Sequence, residues 1–413
     1  MNSKIMKFFK AAEKLNYWSV ILIPFFMGIA PAPMNVFMGL VVATYPFVPL
    51  ARNKRFDPKT GITLPILAFF IITCLSITNS VNTADSLKGG IGRLAHYILI
   101  LLVIFNSLKD RLHAKRIIIS ICFGISLISL DSIWQVIAGS SFIRPGYAPV
   151  VNIGLVRATS SFKDSNILGI YLSGFAPLLF GITFYYIKGR KKIPFILLSL
   201  LVLAGIALTY SRPTLLAVYL VFVFFALARK NRAFLALLIL SLLISPFIAP
   251  KPVKDWAKQV EYNPLRFMCN DDRIAVYLHS LNMIKAHPFI GVGANAFMNS
   301  YRYYKTYPEY NNVVTLDEMK AHNNFLHMAG ETGLLGLGAF IWLIAVLFTR
   351  LSRLYRNLND GFLKITLLGL TACIISFLIN GLTESSLYYS RVGLLFWYLA
   401  GLALSYVKIN DAA

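Results

Sequence analysis

Charge is scarce in this chain. Lysine, arginine, aspartate and glutamate make up 14% of its 413 residues, where soluble domains carry roughly 25%. Acidic residues are the scarcest, 17 against 40 lysines and arginines, for a net charge of +23. Cysteine is nearly absent too. Cys74, Cys122, Cys269 and Cys373 are scattered, with no CxxC pair, which argues against a disulfide framework or a zinc site and leaves small packing residues. The polar stretches hold no DxD-like acidic motif. His322 and His327 stand five apart and point to different faces of a helix, and His279 and His287 stand eight apart with Pro288 after the second. No metal site is expected from these spacings. Internal repeats, low-complexity tracts and a second soluble domain are also lacking.

Apolar sequence fills the space. Hydrophobic residues make up 57% of the chain, and the runs Leu15–Ala51, Thr60–Ala84, Ser165–Ile187, Ile193–Ser211, Ala233–Pro250, Thr332–Thr349 and Ile365–Thr383 contain no charge. Each can supply a helix of about 20 residues, the length that crosses a bilayer, and the first can supply two. The pattern predicts an all-α polytopic transmembrane bundle of about twelve spans. These run near 16–32, 34–50, 62–80, 90–107, 117–138, 165–187, 193–209, 213–228, 233–249, 325–349, 364–382 and 391–407. Prolines at 31 and 33 divide the first long run, and Tyr210-Ser-Arg-Pro213 divides another, because proline ends helices. The basic N-terminus leads into an apolar stretch too long for a cleavable signal, so the first span is expected to be retained.

The positive charge is not spread as a nucleic-acid surface would need. It concentrates in short segments near 1–14, 51–59, 109–116, 188–192, 229–232 and 350–364. That clustering is the positive-inside pattern and predicts cytoplasmic termini, with the intervening segments on the outer side. Three parts follow: spans one to nine in 1–249, a long outer segment in 250–324, and spans ten to twelve with a cytoplasmic tail in 325–413. In the outer segment, Asn270-Asp-Asp272 offers a helix start. Ile274, Leu278, Leu281 and Ile284 follow at helical spacing, which predicts an amphipathic helix over 271–286 lying on the membrane face or on the bundle. A breaker-rich turn, His287-Pro-Phe-Ile-Gly-Val-Gly293, comes next. Five tyrosines within 301–310 suit either anchoring at headgroup level or a platform for sugar rings.

Few residues in such a chain can carry chemistry. His322 sits where the long polar segment ends and a span begins, with Asn323 beside it and Glu331 two to three turns on. A neutral histidine there can accept a proton from an attacking hydroxyl, or it can be a capping residue. Arg212, between Ser211 and Pro213, stands at a helix N-terminus that favours anions and adds a bidentate donor for phosphate. Snorkelling to lipid headgroups is the alternative. Arg273 opens the amphipathic helix, either as a second phosphate contact or in a pair with Asp271 or Asp272. Arg157 and Lys163 lie in the loop ahead of the sixth span and would line the same outer pocket. Asp131 is the clearest acidic residue inside a span. Structural pairing with an outer arginine or Trp134 is its expected role.

Taken together, several blocks resemble one family. They are Thr209-Tyr-Ser-Arg-Pro-Thr214, Asp272-Arg-Ile with Met283-Ile-Lys-Ala-His-Pro-Phe-Ile-Gly-Val-Gly-Ala-Asn-Ala-Phe297, Ala321-His-Asn-Asn-Phe-Leu with Gly330-Glu-Thr-Gly-Leu-Leu-Gly336, and Arg157…Phe162…Asn166. The chain resembles the O-antigen ligase and polymerase family of lipid-linked GT-C glycosyltransferases. The resemblance implies a glycan on undecaprenyl diphosphate as donor and a lipid A–core sugar, or another lipid-linked repeat, as acceptor. It implies His322 as general base, Arg212 and Arg273 on the diphosphate, inversion at the anomeric carbon and no cofactor or metal. Arg157, Asn323 and Glu331 are further site residues on the same ground. It also implies the bacterial inner membrane, with the site on the periplasmic face. The single long outer segment and the short 139–164 loop favour a ligase over a polymerase. A lipid-linked sugar transporter is the reading from another class. It predicts broken or charged helices at the midplane and repeated halves.

Overall fold

The computed structural model describes residues 3–52, 56–58, 60–152, 154–269, 271–305 and 319–410. Each apolar segment forms helix, the conformation that pairs every backbone donor and acceptor where water is excluded. Helices α1 (Ser3–Ile29) and α2 (Pro31–Thr44) meet at Ala30, with Pro31 opening the second. Proline lacks an N–H and suits the first position of a helix, where none is needed. The chain continues through α3 (Thr63–Leu75), α4 (Arg93–Ser107), α5 (Arg111–Ala138), α6 (Ser165–Tyr185), α7 (Lys192–Ala207), α8 (Arg212–Ala228) and α9 (Arg232–Ile248). Then come α10 (Lys251–Gln259), α11 (Asp271–Ala286), α12 (Asn324–Asn357), α13 (Gly361–Asn380) and α14 (Ser390–Asn410).

The protein is a multi-pass helical membrane protein. Among the described residues, six helices are long and apolar enough to cross: Thr83–Ser107, Arg111–Ala138, Ser165–Tyr185, Asn324–Asn357, Gly361–Asn380 and Ser390–Ile409. The pair α9 and α10, bent by 89°, makes a seventh if taken as one span. Helices α2 and α8, and the stretch Thr63–Asn79, are apolar but shorter. Burial sorts the long helices. In α6 and α14, 89% of the apolar window is buried inside the protein, against 33% in α12. So α6 and α14 form the interior, and α12 turns a broad face outward. A Cβ on Gly369 of α13 would lie 3.0 Å from the Leu178 Cα of α6, so the small residue permits that backbone approach.

The two ends of the bundle differ. At one, Arg52 pairs with Glu13 at 2.8 Å and Arg111 with Asp360 at 3.1 Å, while Lys408 reaches Asn106 at 2.7 Å. These contacts join several of the segments in which basic residues concentrate. At the other end, buried side chains pin the 139–164 loop. Asp131 accepts from the Ser141 hydroxyl at 2.8 Å, from the Phe142 and Ile143 N–H groups at 2.7 and 3.2 Å, and from the Ser160 hydroxyl. Its role is structural, with hydroxyls and backbone as partners in place of the expected arginine or Trp134. Arg391 donates to the carbonyls of Met27 and Ser161, both at 3.0 Å. The loop also carries a small antiparallel hairpin, Val150–Asn152 against Leu155–Arg157, which an all-α reading does not contain.

Helix α11 spans the predicted residues, but its buried face is rotated. Ala275, Val276, His279, Ser280 and Met283 are buried, whereas Leu281 is 42% exposed. The helix packs with Phe297, Tyr301 and Ala321 in a small second core. The periodicity of large apolar residues misses this face, because Ala275, His279 and Ser280 make up most of it beside Val276 and Met283. Asn270, proposed as the helix cap, lies outside the described residues, as do Tyr307 and Tyr310. Of the other tyrosines, Tyr301 belongs to the second core and its hydroxyl bonds His279 at 2.7 Å.

One joint locks this unit to the bundle. Helix α12 breaks its regular geometry at Gly333 (φ 68°, ψ −175°), a region open essentially to glycine alone. The turn after α11 inserts there. Val292 N–H donates to Gly330 O at 2.9 Å, Gly293 N–H to Glu331 O at 3.0 Å, and Leu334 N–H to Pro288 O at 2.8 Å. A Cβ on Gly333 would lie 2.1 Å from Phe289 O, and one on Gly291 would lie 2.4 Å from Glu331. Gly333→Ala is therefore expected to cost about 2 kcal/mol or more, read as a lowered thermal unfolding midpoint in detergent. Gly338→Ala, with open space around it, serves as the control and should not destabilise; equal behaviour of the two variants would remove the joint from this role.

Candidate active site

The residues at the loop-bearing end converge on one carboxylate. Glu384 follows α13 and its side chain is only 4% exposed. Its Oε1 accepts from Arg273 Nη2 at 2.5 Å and from Asn166 Nδ2 at 3.1 Å, and its Oε2 lies 3.2 Å from His322 Nδ1. Asn166 in turn accepts from Arg157 Nη2 at 2.8 Å, and Arg157 Nε donates to the Thr209 carbonyl at 2.8 Å. Four segments distant in sequence thus meet through directed bonds. Burial alone would raise the Glu384 carboxyl. The hydrogen bond with His322 and the charge of Arg273 outweigh it and hold the group below its ordinary value. Burial lowers the Arg157 guanidinium, with Asp164 opposing and the Arg273 charge adding to the shift.

His322 owes its placement to the start of α12. Asn323 caps that helix, its Oδ1 accepting from the Phe325 and Leu326 N–H groups at 2.8 and 3.1 Å, while its Nδ2 donates to Leu382 O at 2.9 Å. Asn323 is therefore a positioning residue. His322 itself takes a left-handed backbone (φ 47°) and stays 28% exposed at its side chain. Tyr277 of α11 donates to the His322 carbonyl at 3.2 Å. With Nδ1 held by Glu384, the opposite ring nitrogen, Nε2, is left for another partner.

Glu331 stands apart from this cluster. It pairs with His327 Nε2 at 3.2 Å and accepts weakly from the Phe297 N–H at 3.4 Å. His327 stacks on Tyr388 at 3.6 Å between ring centroids. The carboxylate that serves His322 is Glu384, which the sequence reading passed over. Its only signal was a lone acid in a short segment between two apolar spans. Lys163 is exposed and lies outside the cluster.

Arg212 opens α8 with Ser211 as its cap. Its guanidinium lies between the Trp256 and Phe267 rings, 5.5 and 5.6 Å from their centroids, and donates to the Phe267 carbonyl. Arg157, Arg212 and Arg273 lie within electrostatic range of one another. Among the described residues, Arg273 is the one of the three in ion-pair contact with a carboxylate, and the Asp164 carboxylate lies within electrostatic range of Arg157, so the three arginines outnumber the two acids. Arg157 and Arg212 also line a cavity of about 530 Å³. The rest of its wall is largely apolar, with Leu215, Leu216, Tyr219 and Leu220 from α8 and Leu242 from α9. An amphipathic ligand with an apolar tail and a negative head fits this arrangement. Among the described residues, no three metal-ligating side chains gather.

A sequence model of the family described as O-Antigen ligase matches residues 197–341. No curated protein matches the chain closely enough to count as a relative. The matched stretch contains Arg212, Arg273 and His322, and it stops short of Arg157, Asn166 and Glu384 at either side.

Because the folded Glu384 carboxyl lies below its ordinary value of 4.5, it contributes stability that is present above that pH and lost as pH falls through the lower folded value. Glu384→Gln should lower the unfolding midpoint at pH 7, and the gap from the wild type should close on acidification below about pH 4.5. A gap independent of pH would show that the charge of Glu384 is not what matters.

Proposed function

From the membership of residues 197–341 in the O-antigen ligase family, we propose that the protein is an O-antigen ligase. It moves a polysaccharide from undecaprenyl diphosphate to a lipid A–core sugar at the periplasmic face of the bacterial inner membrane. The observation that carries this reading is the cavity headed by Arg157 and Arg212 beside the Arg273–Glu384–His322 cluster. The polyprenyl chain occupies the apolar part of the cavity. The surplus of arginines over carboxylates suits the negative charge of a diphosphate diester. Twelve crossings in a GT-C-like arrangement, with cytoplasmic termini, complete the proposal.

The chemistry follows from the bonding. Glu384 holds His322 so that Nδ1 carries the hydrogen and Nε2 the lone pair. Nε2 takes the proton of the acceptor hydroxyl as its oxygen attacks the anomeric carbon. The bond from that carbon to the diphosphate oxygen breaks, with inversion, and the arginines hold the developing charge. Protonated His322 then releases its proton to solvent. No step calls for a metal. The second reading is an O-antigen polymerase, in which the acceptor is another lipid-linked repeat bound at the same base.

The test is transfer by the purified protein from undecaprenyl-diphosphate-linked glycan, in EDTA, with lipid A–core or without it. A product on lipid A–core supports the ligase, and longer lipid-linked chains without it support the polymerase. His322→Ala should slow transfer at least about 100-fold at unchanged protein level. Arg212→Ala should cost about 100-fold or more, and lysine there should restore only part, lacking the bidentate fork. Normal transfer by His322→Ala would end the general-base assignment.

A further inference from the structure

A cavity of about 750 Å³ opens between α5 and α7, at the end of the bundle where Arg111 pairs with Asp360. The two helices touch further along, where a Cβ on Gly205 would come 2.8 Å from the Ser129 Cβ. Helix α6 closes the back of the space, tied to α7 by a 3.1 Å hydrogen bond between the Thr183 and Ser199 hydroxyls. The result is a wedge lined by Arg111, Lys115, Ile119 and Cys122 of α5, by Tyr186 just after α6 and by Leu198 of α7. Apart from Ser126, the rest of the wall is apolar or aromatic, and among the described residues it holds no acid.

The charge sits at one end of this wedge. Arg111 and Lys115 are four residues apart, on one face of α5. Asp360 pairs with Arg111 at 3.1 Å, and Asp110 is occupied in capping α5, where it accepts from the His113 N–H at 2.8 Å. Lys115 is exposed and forms no ion pair among the described residues. Across the wedge, Lys188, Arg190, Lys191 and Lys192 lead into α7, also without an acid partner among the described residues. Lys191 precedes the lining residue Phe195 by four positions, which puts it on the face of the wedge.

Length fits the same occupant. Lys115 and Lys191 each stand 14 residues before the Ser129–Gly205 contact, which is about 21 Å of helical rise. The hydrocarbon of one leaflet is about 15 Å deep, half of a core of about 30 Å. An acyl chain therefore lies along the apolar wall with its headgroup level with the cations. Basic pockets between membrane helices favour headgroups with net negative charge, and a zwitterionic headgroup brings its own ammonium to an already positive mouth.

We propose that this wedge is a binding site for one anionic phospholipid of the adjoining leaflet, with its phosphate at Lys115 and Lys191. The site lies at the far end of the bundle from Glu384, and its occupancy does not depend on the glycosyl-transfer reading.

The full-length protein in detergent is titrated with phosphatidylglycerol and with phosphatidylethanolamine of identical chains, and bound lipid is read by native mass spectrometry. Phosphatidylglycerol should bind at least tenfold more tightly. Lys115→Gln combined with Lys191→Gln should weaken it about tenfold, while Lys7→Gln with Lys10→Gln, which removes the same charge from α1, should leave it unchanged. A phosphatidylglycerol carrying a photoreactive group in mid-chain should label α5 between Ile118 and Ser126, or Leu198. Equal binding of the two lipids, an equal loss in the α1 pair, or labelling confined to other helices would each overturn the proposal. Thermal unfolding checks that the variants are folded; if the lysine pair is not, the labelling of the wild type decides.

Discussion

A single buried carboxylate organises the working end of this protein. Glu384 is bonded at once by Arg273, Asn166 and His322, which belong to three different segments. A carboxylate withdrawn from water must find compensating donors. That requirement draws the start of α6, the start of α11 and the approach to α12 to one point. The same bonds set the histidine ring through its Nδ1. Neighbouring Arg157 and Arg212 form no ion pair among the described residues, and both line the cavity of about 530 Å³.

The joint between α11 and α12 makes that convergence possible. Gly333 interrupts α12 so that the turn from Pro288 to Gly293 can bond its freed backbone groups. Non-helical backbone at this depth is tolerated because both sides are satisfied within protein. The joint seats α11, and α11 carries Arg273 to Glu384. Distant glycines and a proline therefore act on the site through geometry, with no contact to any reacting atom. Asp131, Gln135 and Arg391 do comparable work on the 139–164 loop, whose hairpin ends at Arg157.

Two cavities among the described residues differ in character. One is largely apolar, with Arg157 and Arg212 in its wall, and the other is small and polar, with Asp85 and Glu331 facing Arg93 and Lys320.

Much of this was legible beforehand. Runs of uncharged residues and the prolines at 31 and 213 set the helices and their breaks, because lipid permits little else. Arg212 at a helix start and His322 ahead of a span were visible as local patterns. Other features were decided only by tertiary structure. The buried face of α11 mixes Ala275, His279 and Ser280 with Val276 and Met283, so the periodicity of large apolar residues points to another side. Glu331, nearer to His322 in sequence, belongs to His327, whereas Glu384, 62 residues from His322, is the group that bonds it. Local sequence carries helix period and capping, which act over a few residues. Which carboxylate meets which histidine depends on helix packing, and no spacing along the chain encodes it.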